Sequence, residues 1–154
     1  MCNKSSLMTN PSTSDPCRII RIWFDGGCKP TNPGNKYGSF KVDLGICEVF
    51  KAQTVSLGYG TNNEAEFNIL IRALQWVQEE LMKSGLPMNY YELQLFTDSM
   101  VVKNRISKRN VRGKSESAGR MANLTSQCIS VMDGFKAASI EWNPRGVNVH
   151  LFGH

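Results

Sequence analysis

Asp25, Glu66 and Asp98 are the residues of this chain best placed to do chemistry together. Asp25 closes the mostly apolar stretch "IIRIWFDGG", Ile19 to Gly27, and two glycines follow it at once. A carboxylate at the end of a buried strand needs a partner: a cation, hydrogen-bond donors or a metal. Asp98 closes a second apolar strand, "YELQLFTDS". Glu66 lies four residues before Leu70 and seven before Ala73, so on a helix it points with their apolar stripe, whereas Glu64 points away. If the two strands are neighbours, Asp25 and Asp98 meet at one sheet edge and the helix brings Glu66 over them. Three like charges in such a space repel and do not all stay ionised unaided. A pair of divalent cations resolves this, and hard oxygen ligands select Mg²⁺ or Mn²⁺ over zinc. Two such ions about 4 Å apart can clamp an attacking water and a leaving oxygen in phosphoryl transfer. Taken singly, each acid has a blander reading: a strand-terminal Asp as a turn residue, Glu66 as a surface acid beside a helix cap.

The elements that must position these acids follow from periodicity. Arg18 to Asp25 alternates as a first strand, with Ile20, Ile22 and Phe24 on one side and Ile19, Trp23 and Asp25 on the other. "GGCKPTNPGNKYG" reads as a turn, and "SFKVDL" and "ICEVFKAQTVSL" complete an antiparallel meander. "NNEAEFNILIRALQWVQEELMKSG" is the clearest helix. Asn62 or Asn63 would cap it, Gly85 would end it, and Leu70, Ala73, Leu74, Val77 and Leu81 form its stripe. After the Asp98 strand come a short helix, "MVVKNRI", a long helix from about Ser117 to Phe135, and a fifth strand, "AASIEWNP". This order predicts an α/β fold with a five-stranded mixed sheet, strands one to three antiparallel, and helices on its faces. Trp23, Trp76 and Trp142 are expected in the core. Residues 1–16 read as a disordered tail and residues 17–154 as one domain.

The formal net charge of +5 fits a polyanionic partner, nucleic acid first. The five cysteines include no CxxC pair, which argues against a zinc site or a disulfide framework and for a reducing, cytoplasmic setting. No apolar run is long enough for a membrane span or a signal peptide. No organic cofactor is implied, and a monomer is expected.

The motifs "FDGG…TNPGNKYGS" (Phe24–Ser39), "TNNEAEF" (Thr61–Phe67), "FTDS" (Phe96–Ser99) and "WNPRGVN" (Trp142–Asn148) together resemble the type 1 ribonuclease H family. Their order and spacing match it over about Ile19 to Asn148, and the retroviral-type and small bacterial or archaeal branches look most similar. The resemblance implies a ribonuclease H-like fold and an endonuclease that hydrolyses the RNA strand of RNA–DNA hybrids with two Mg²⁺ (or Mn²⁺) ions. The products would carry 5′-phosphate and 3′-hydroxyl ends. Asp25, Glu66 and Asp98 fall on the family's metal-binding acids. Gly26, Asn32, Asn62, Asn63, Ser99 and Arg145 fall at positions expected to contact substrate, although Asn in a turn or before a helix is also a good turn or cap former. Lys108, Arg109 and Arg112 belong to a basic cluster with Lys103, Arg105, Lys114 and Arg120, read as a phosphate grip.

The sequence departs from the family in one place. A fourth acid is expected four residues after Asn148, where Phe152 stands, and no Asp or Glu follows Glu141. The C-terminal helix that usually carries that acid is expected to be absent. Three readings remain open: an acid lost by truncation, a catalytically weak or dead relative that still binds hybrids, or His154 filling the place. His154 would act through its imidazole or its terminal carboxylate, as a metal ligand or a proton shuttle.

Overall fold

The computed structural model describes residues 18–45 and 49–154, so the expected tail and Cys2, Cys17 and Cys47 lie outside the described residues. Strand β1 (Ile19–Lys29) alternates as its sequence requires. Ile20, Ile22 and Phe24 are fully buried, and Ile19, Arg21 and Trp23 are half-buried. It does not stop at Asp25. Antiparallel pairing with β2 (Gly34–Asp43) continues to Lys29↔Asn35, which reduces the expected turn to residues 30–33. Gly26 and Gly27 therefore serve within a strand, and Gly26 leaves room for a helix backbone.

β3 (Val49–Gly60) completes the meander, and β4 (Glu92–Thr97) and β5 (Ala137–Trp142) add in parallel on the far side of β1. The sheet order is β3-β2-β1-β4-β5. This is the expected five-stranded mixed sheet with an antiparallel first half.

Helix α1 (Asn62–Lys83) buries Leu70, Ala73, Leu74, Val77 and Leu81 together with Phe67 and Ile69. Each large apolar side chain so buried contributes roughly 1.5–3 kcal/mol. Its cap is Thr61, not Asn62 or Asn63. Thr61 Oγ1 accepts from the Glu64 N–H, and Glu64 Oε1 accepts from the Thr61 N–H, each at 3.2 Å. This reciprocal pair satisfies two otherwise free donors and outcompetes a single Asn cap. Gly85 follows the C-cap with a left-handed φ of 66°, as expected of a helix-ending glycine. Helix α2 (Met100–Ser107) packs against β5, and α3 (Glu116–Met132) packs on α1.

Two sequence expectations are corrected here. The chain does form a helix after β5: α4 (Arg145–Phe152). Its Val, Gly and Asn residues are weak helix formers, but Asn148 and Phe152, one turn apart, are both buried. Tertiary burial outweighs poor local propensity. Trp142 is not a core residue: it is 47% exposed at the end of β5, because edge strand β5 is exposed along most of its length.

Candidate active site

The β1–β4 register decides where the two aspartates meet. The parallel pairing ends at Trp23↔Phe96, and two residues further along the chain from each stand Asp25, still in β1, and Asp98, just past β4. Helix α1 closes over them because Gly26 lacks a side chain at its contact with the Ala65 and Glu66 backbone. Carboxylate oxygens of Asp25, Glu66 and Asp98 all lie within 4.8 Å of one another. The three acids foreseen from their settings are thus brought together.

Their environment strains the ionised state. Burial first, then the charges of Asp25 and Asp98, hold the Glu66 carboxyl well above its ordinary range. Asp25 is raised by burial and by Asp98, an effect that His154 partly offsets. The Gly26 backbone hydrogen-bonds the Glu66 carboxylate, yet Glu66 Oε2 is buried with no partner. A buried carboxylate with an orphaned oxygen, gathered with two further carboxylates, fits a divalent cation. All the donors are hard oxygens, which suits Mg²⁺ or Mn²⁺.

This predicts a pH dependence. A group whose folded-state pKa lies above its unfolded value stabilises the fold below the unfolded pKa, and the stabilisation is lost as pH rises through the folded one. Metal-free protein is therefore expected to lose stability as pH rises from the ordinary carboxylate range towards neutrality. Glu66→Gln should raise the metal-free melting temperature at neutral pH and flatten this loss. Thermal unfolding in chelator across pH checks it; an unchanged or lower melting temperature for Glu66→Gln at neutral pH would contradict it.

His154 reaches the same cluster through its imidazole ring. Its Nδ1 lies 2.8 Å from Asp25 Oδ2, and its Nε2 lies 2.8 Å from Ser39 Oγ. Both ring nitrogens are occupied within the chain, so the imidazole as placed is not a metal ligand. The wall around the acids also includes Gly26, Gly27, Cys28, Tyr37, Asn62, Asn63, Ser99, Trp142, Arg145 and His154.

Several of these residues are tied to one another. Asn62 Oδ1 accepts from the Cys28 N–H at 2.9 Å, and Asn32 Oδ1 accepts from the Asn62 N–H at 3.1 Å. The β1–β2 turn is thereby bolted to the start of α1. Ser99 caps α2 by accepting from the Val102 N–H, so its hydroxyl already has a structural task. Trp142 Nε1 donates to the Asp98 backbone oxygen at 3.2 Å, which fixes the strand end that carries the acid. Sequence reasoning overlooked Ser39 and Tyr37 here. The only local signal was that both lie within the "NPGNKYGS" stretch.

No protein-family model matches this sequence, and no curated protein matches it. Solved structures do. The chain aligns with the N-terminal RNase H domain of a Mycobacterium tuberculosis protein at a TM-score of 0.65 and 26% identity, over 85% of this chain and 91% of that one. It aligns with RNase H1 of Halobacterium salinarum at a TM-score of 0.61 and 25% identity, over 84% and 89% of the two chains. This chain has the type 1 ribonuclease H fold. A third ribonuclease H structure, of a compost metagenome enzyme in complex with an RNA/DNA hybrid, aligns at 0.63 and 21% identity over 85% and 89%.

On this ribonuclease H fold the basic cluster is partly diverted from substrate. Arg109 makes a two-pronged pair with Asp133, at 3.0 and 2.8 Å, and faces the groove between α2, α3 and β5 rather than the acids. Arg105 braces the following loop through the Asn110 and Arg112 carbonyls. Arg120 pairs with Glu64 and Glu116. Lys108, Arg112 and Lys114 remain as exposed cations of this segment. The expected grip is therefore smaller than the count of charges implied.

Proposed function

We propose that this chain is an endoribonuclease that cuts the RNA strand of RNA–DNA hybrids, with two divalent cations held by Asp25, Glu66 and Asp98. The observation that carries this reading is the convergence of the three carboxylates, one of them with an orphaned buried oxygen, on a ribonuclease H fold. Divalent cations bound there would make a water nucleophilic near neutral pH and stabilise charge on the leaving oxygen. The chain's own residues do the rest. Asp25, within β1, and Asp98, just past the end of neighbouring β4, set one rigid edge of the site. Glu66, on the first turns of α1, closes it from above. The Asn32–Asn62–Cys28 lattice holds the β1–β2 turn at the start of α1, where amide groups and Asn side chains can meet ribose hydroxyls and phosphates in a shallow minor groove. Arg145 on the same wall, and the exposed Lys108, Arg112 and Lys114 of the segment that follows α2, would supply cations for the nucleic-acid backbone.

A second reading, a hybrid binder without catalysis, has one observation in its favour. Phe152, at the position expected for a fourth acid, is 2% exposed and packed into the molecule, so no carboxylate reaches the site from there. One experiment separates the two: incubation of a labelled RNA–DNA hybrid, alongside duplex RNA and duplex DNA, with Mg²⁺ and then with Mn²⁺. Metal-dependent cutting confined to the RNA of the hybrid supports the nuclease. Tight hybrid binding with no cutting under either ion supports the binder.

A further inference from the structure

Ser39 closes the Phe24–Ser39 motif with no role assigned to it there, yet it is a fully buried hydroxyl whose oxygen lies one hydrogen bond from the imidazole that touches Asp25. Asp25 and Ser39 are cross-strand partners in the β1–β2 register, so their side chains share a face, and His154 lies across the pair.

The direction of each bond follows from donor counting. The register between β2 and β3 shifts between Gly38 and Phe40, and near that shift Thr54 takes the left-handed φ of 55°. Its N–H donates to Ser39 Oγ at 2.9 Å. That amide takes one of the hydroxyl's two acceptor sites and leaves its proton free, and at the far end of the chain the Asp25 carboxylate can only accept, so the ring nitrogen facing it must carry the proton. The neighbour at 2.8 Å is His154 Nε2. In a neutral ring Nε2 then accepts and Nδ1 carries the proton, which it donates to Asp25 Oδ2. The ring is also fixed by its surroundings. Tyr37 meets it edge-on with centroids 5.1 Å apart, and Phe152 lies nearly parallel at 6.0 Å. The end of α4 is itself held from β3, by Gln53 Nε2 donating to the Phe152 carbonyl at 2.7 Å and by Lys51 bonding the Leu151 carbonyl.

We infer that Ser39 and His154 are positioning residues: the Ser39–His154–Asp25 chain holds Asp25 by one carboxylate oxygen and leaves the other to a divalent cation. This rests on the metal-site reading above and adds to it the residues that orient one ligand. Serine, histidine and aspartate in series invite comparison with a nucleophilic triad, but Ser39 is 0% exposed and no substrate can reach it. The arrangement instead matches the way a second layer of hydrogen bonds orients metal ligands. The carboxylate here is the ligand and the imidazole its support.

The test has two parts. The first needs no variant: nitrogen-15 NMR of the His154 ring in metal-free protein, at a pH where the ring carries one proton. The expected signature is the Nδ1–H tautomer; the Nε2–H tautomer overturns the inference. The second is Mn²⁺ affinity by calorimetry in the absence of nucleic acid. His154→Ala and Ser39→Ala are each expected to weaken binding by about 10- to 100-fold. His154→Asn, whose amide can stand where Nδ1–H stands, is expected to restore most of the loss, whereas His154→Gln is not. Equal loss in the Asn and Ala variants would make His154 a direct ligand and overturn the positioning role. Unchanged affinity in His154→Ala and Ser39→Ala would overturn it as well. Neither readout depends on cleavage, so failure of the nuclease reading, with normal Mn²⁺ binding but no cutting, is separately recognisable.

Discussion

Asp98→Asn is expected to lower hybrid cleavage by at least about a hundredfold while the protein stays folded, since loss of one group that stabilises developing charge typically costs that much. The substitution keeps shape and removes charge. Asp98 contributes a backbone oxygen to the fold, which accepts from Trp142 Nε1, and Asn retains that oxygen. The Asp98 charge raises the carboxyl groups of both Asp25 and Glu66, so its removal relieves repulsion in metal-free protein. The variant should therefore unfold no earlier than the parent in chelator. It should also gain less stability when Mg²⁺ or Mn²⁺ is added, because the stabilisation from a bound ligand rises with the logarithm of its affinity. Cleavage assays beside thermal unfolding, with and without metal, measure all three effects. Undiminished cutting by Asp98→Asn would remove Asp98 from the metal site and with it the proposed mechanism.

Gly26→Ala is expected to damage fold and activity together. A β-carbon at Gly26 would sit 2.7 Å from the Ala65 carbonyl carbon and oxygen and 2.9 Å from the Glu66 nitrogen. These are backbone atoms in the first turns of a 22-residue helix whose apolar face is buried, so they cannot swing aside as a flexible side chain would. The helix start must lift from β1, at a cost of about 1–3 kcal/mol or more as overpacking. Glu66 moves with it. A displacement of about 1 Å of a catalytic group can cost about a hundredfold in rate. Chemical denaturation and hybrid cleavage on the same preparation give both numbers. Parent-like stability and parent-like cleavage would mean that α1 does not approach β1 as closely as described. In sequence the position reads as a turn glycine at a place expected to contact substrate; the structure gives it a further task, that of admitting a helix.

The amino-acid sequence by itself determined the strands, the long helices and the three acids. Ile20, Ile22 and Phe24 alternate, Leu70, Ala73, Leu74 and Val77 recur at helical spacing, and Glu66 falls on that same stripe. Such signals are local, because side-chain direction along a strand or helix repeats every two or 3.6 residues. Four short motifs in order also sufficed to anticipate the ribonuclease H fold. What only the tertiary structure decided lies between residues far apart in the chain. His154 meets Asp25 across a separation of 129 residues and Ser39 across 115. Arg109 is drawn to Asp133 and away from the acids, and Trp142 is left exposed by its place on an edge strand. Helix α4 forms from weak helix formers because Asn148 and Phe152 find burial. No local period encodes such pairings. They depend on which strands become neighbours and which edge is left uncovered, and packing across the whole molecule sets both.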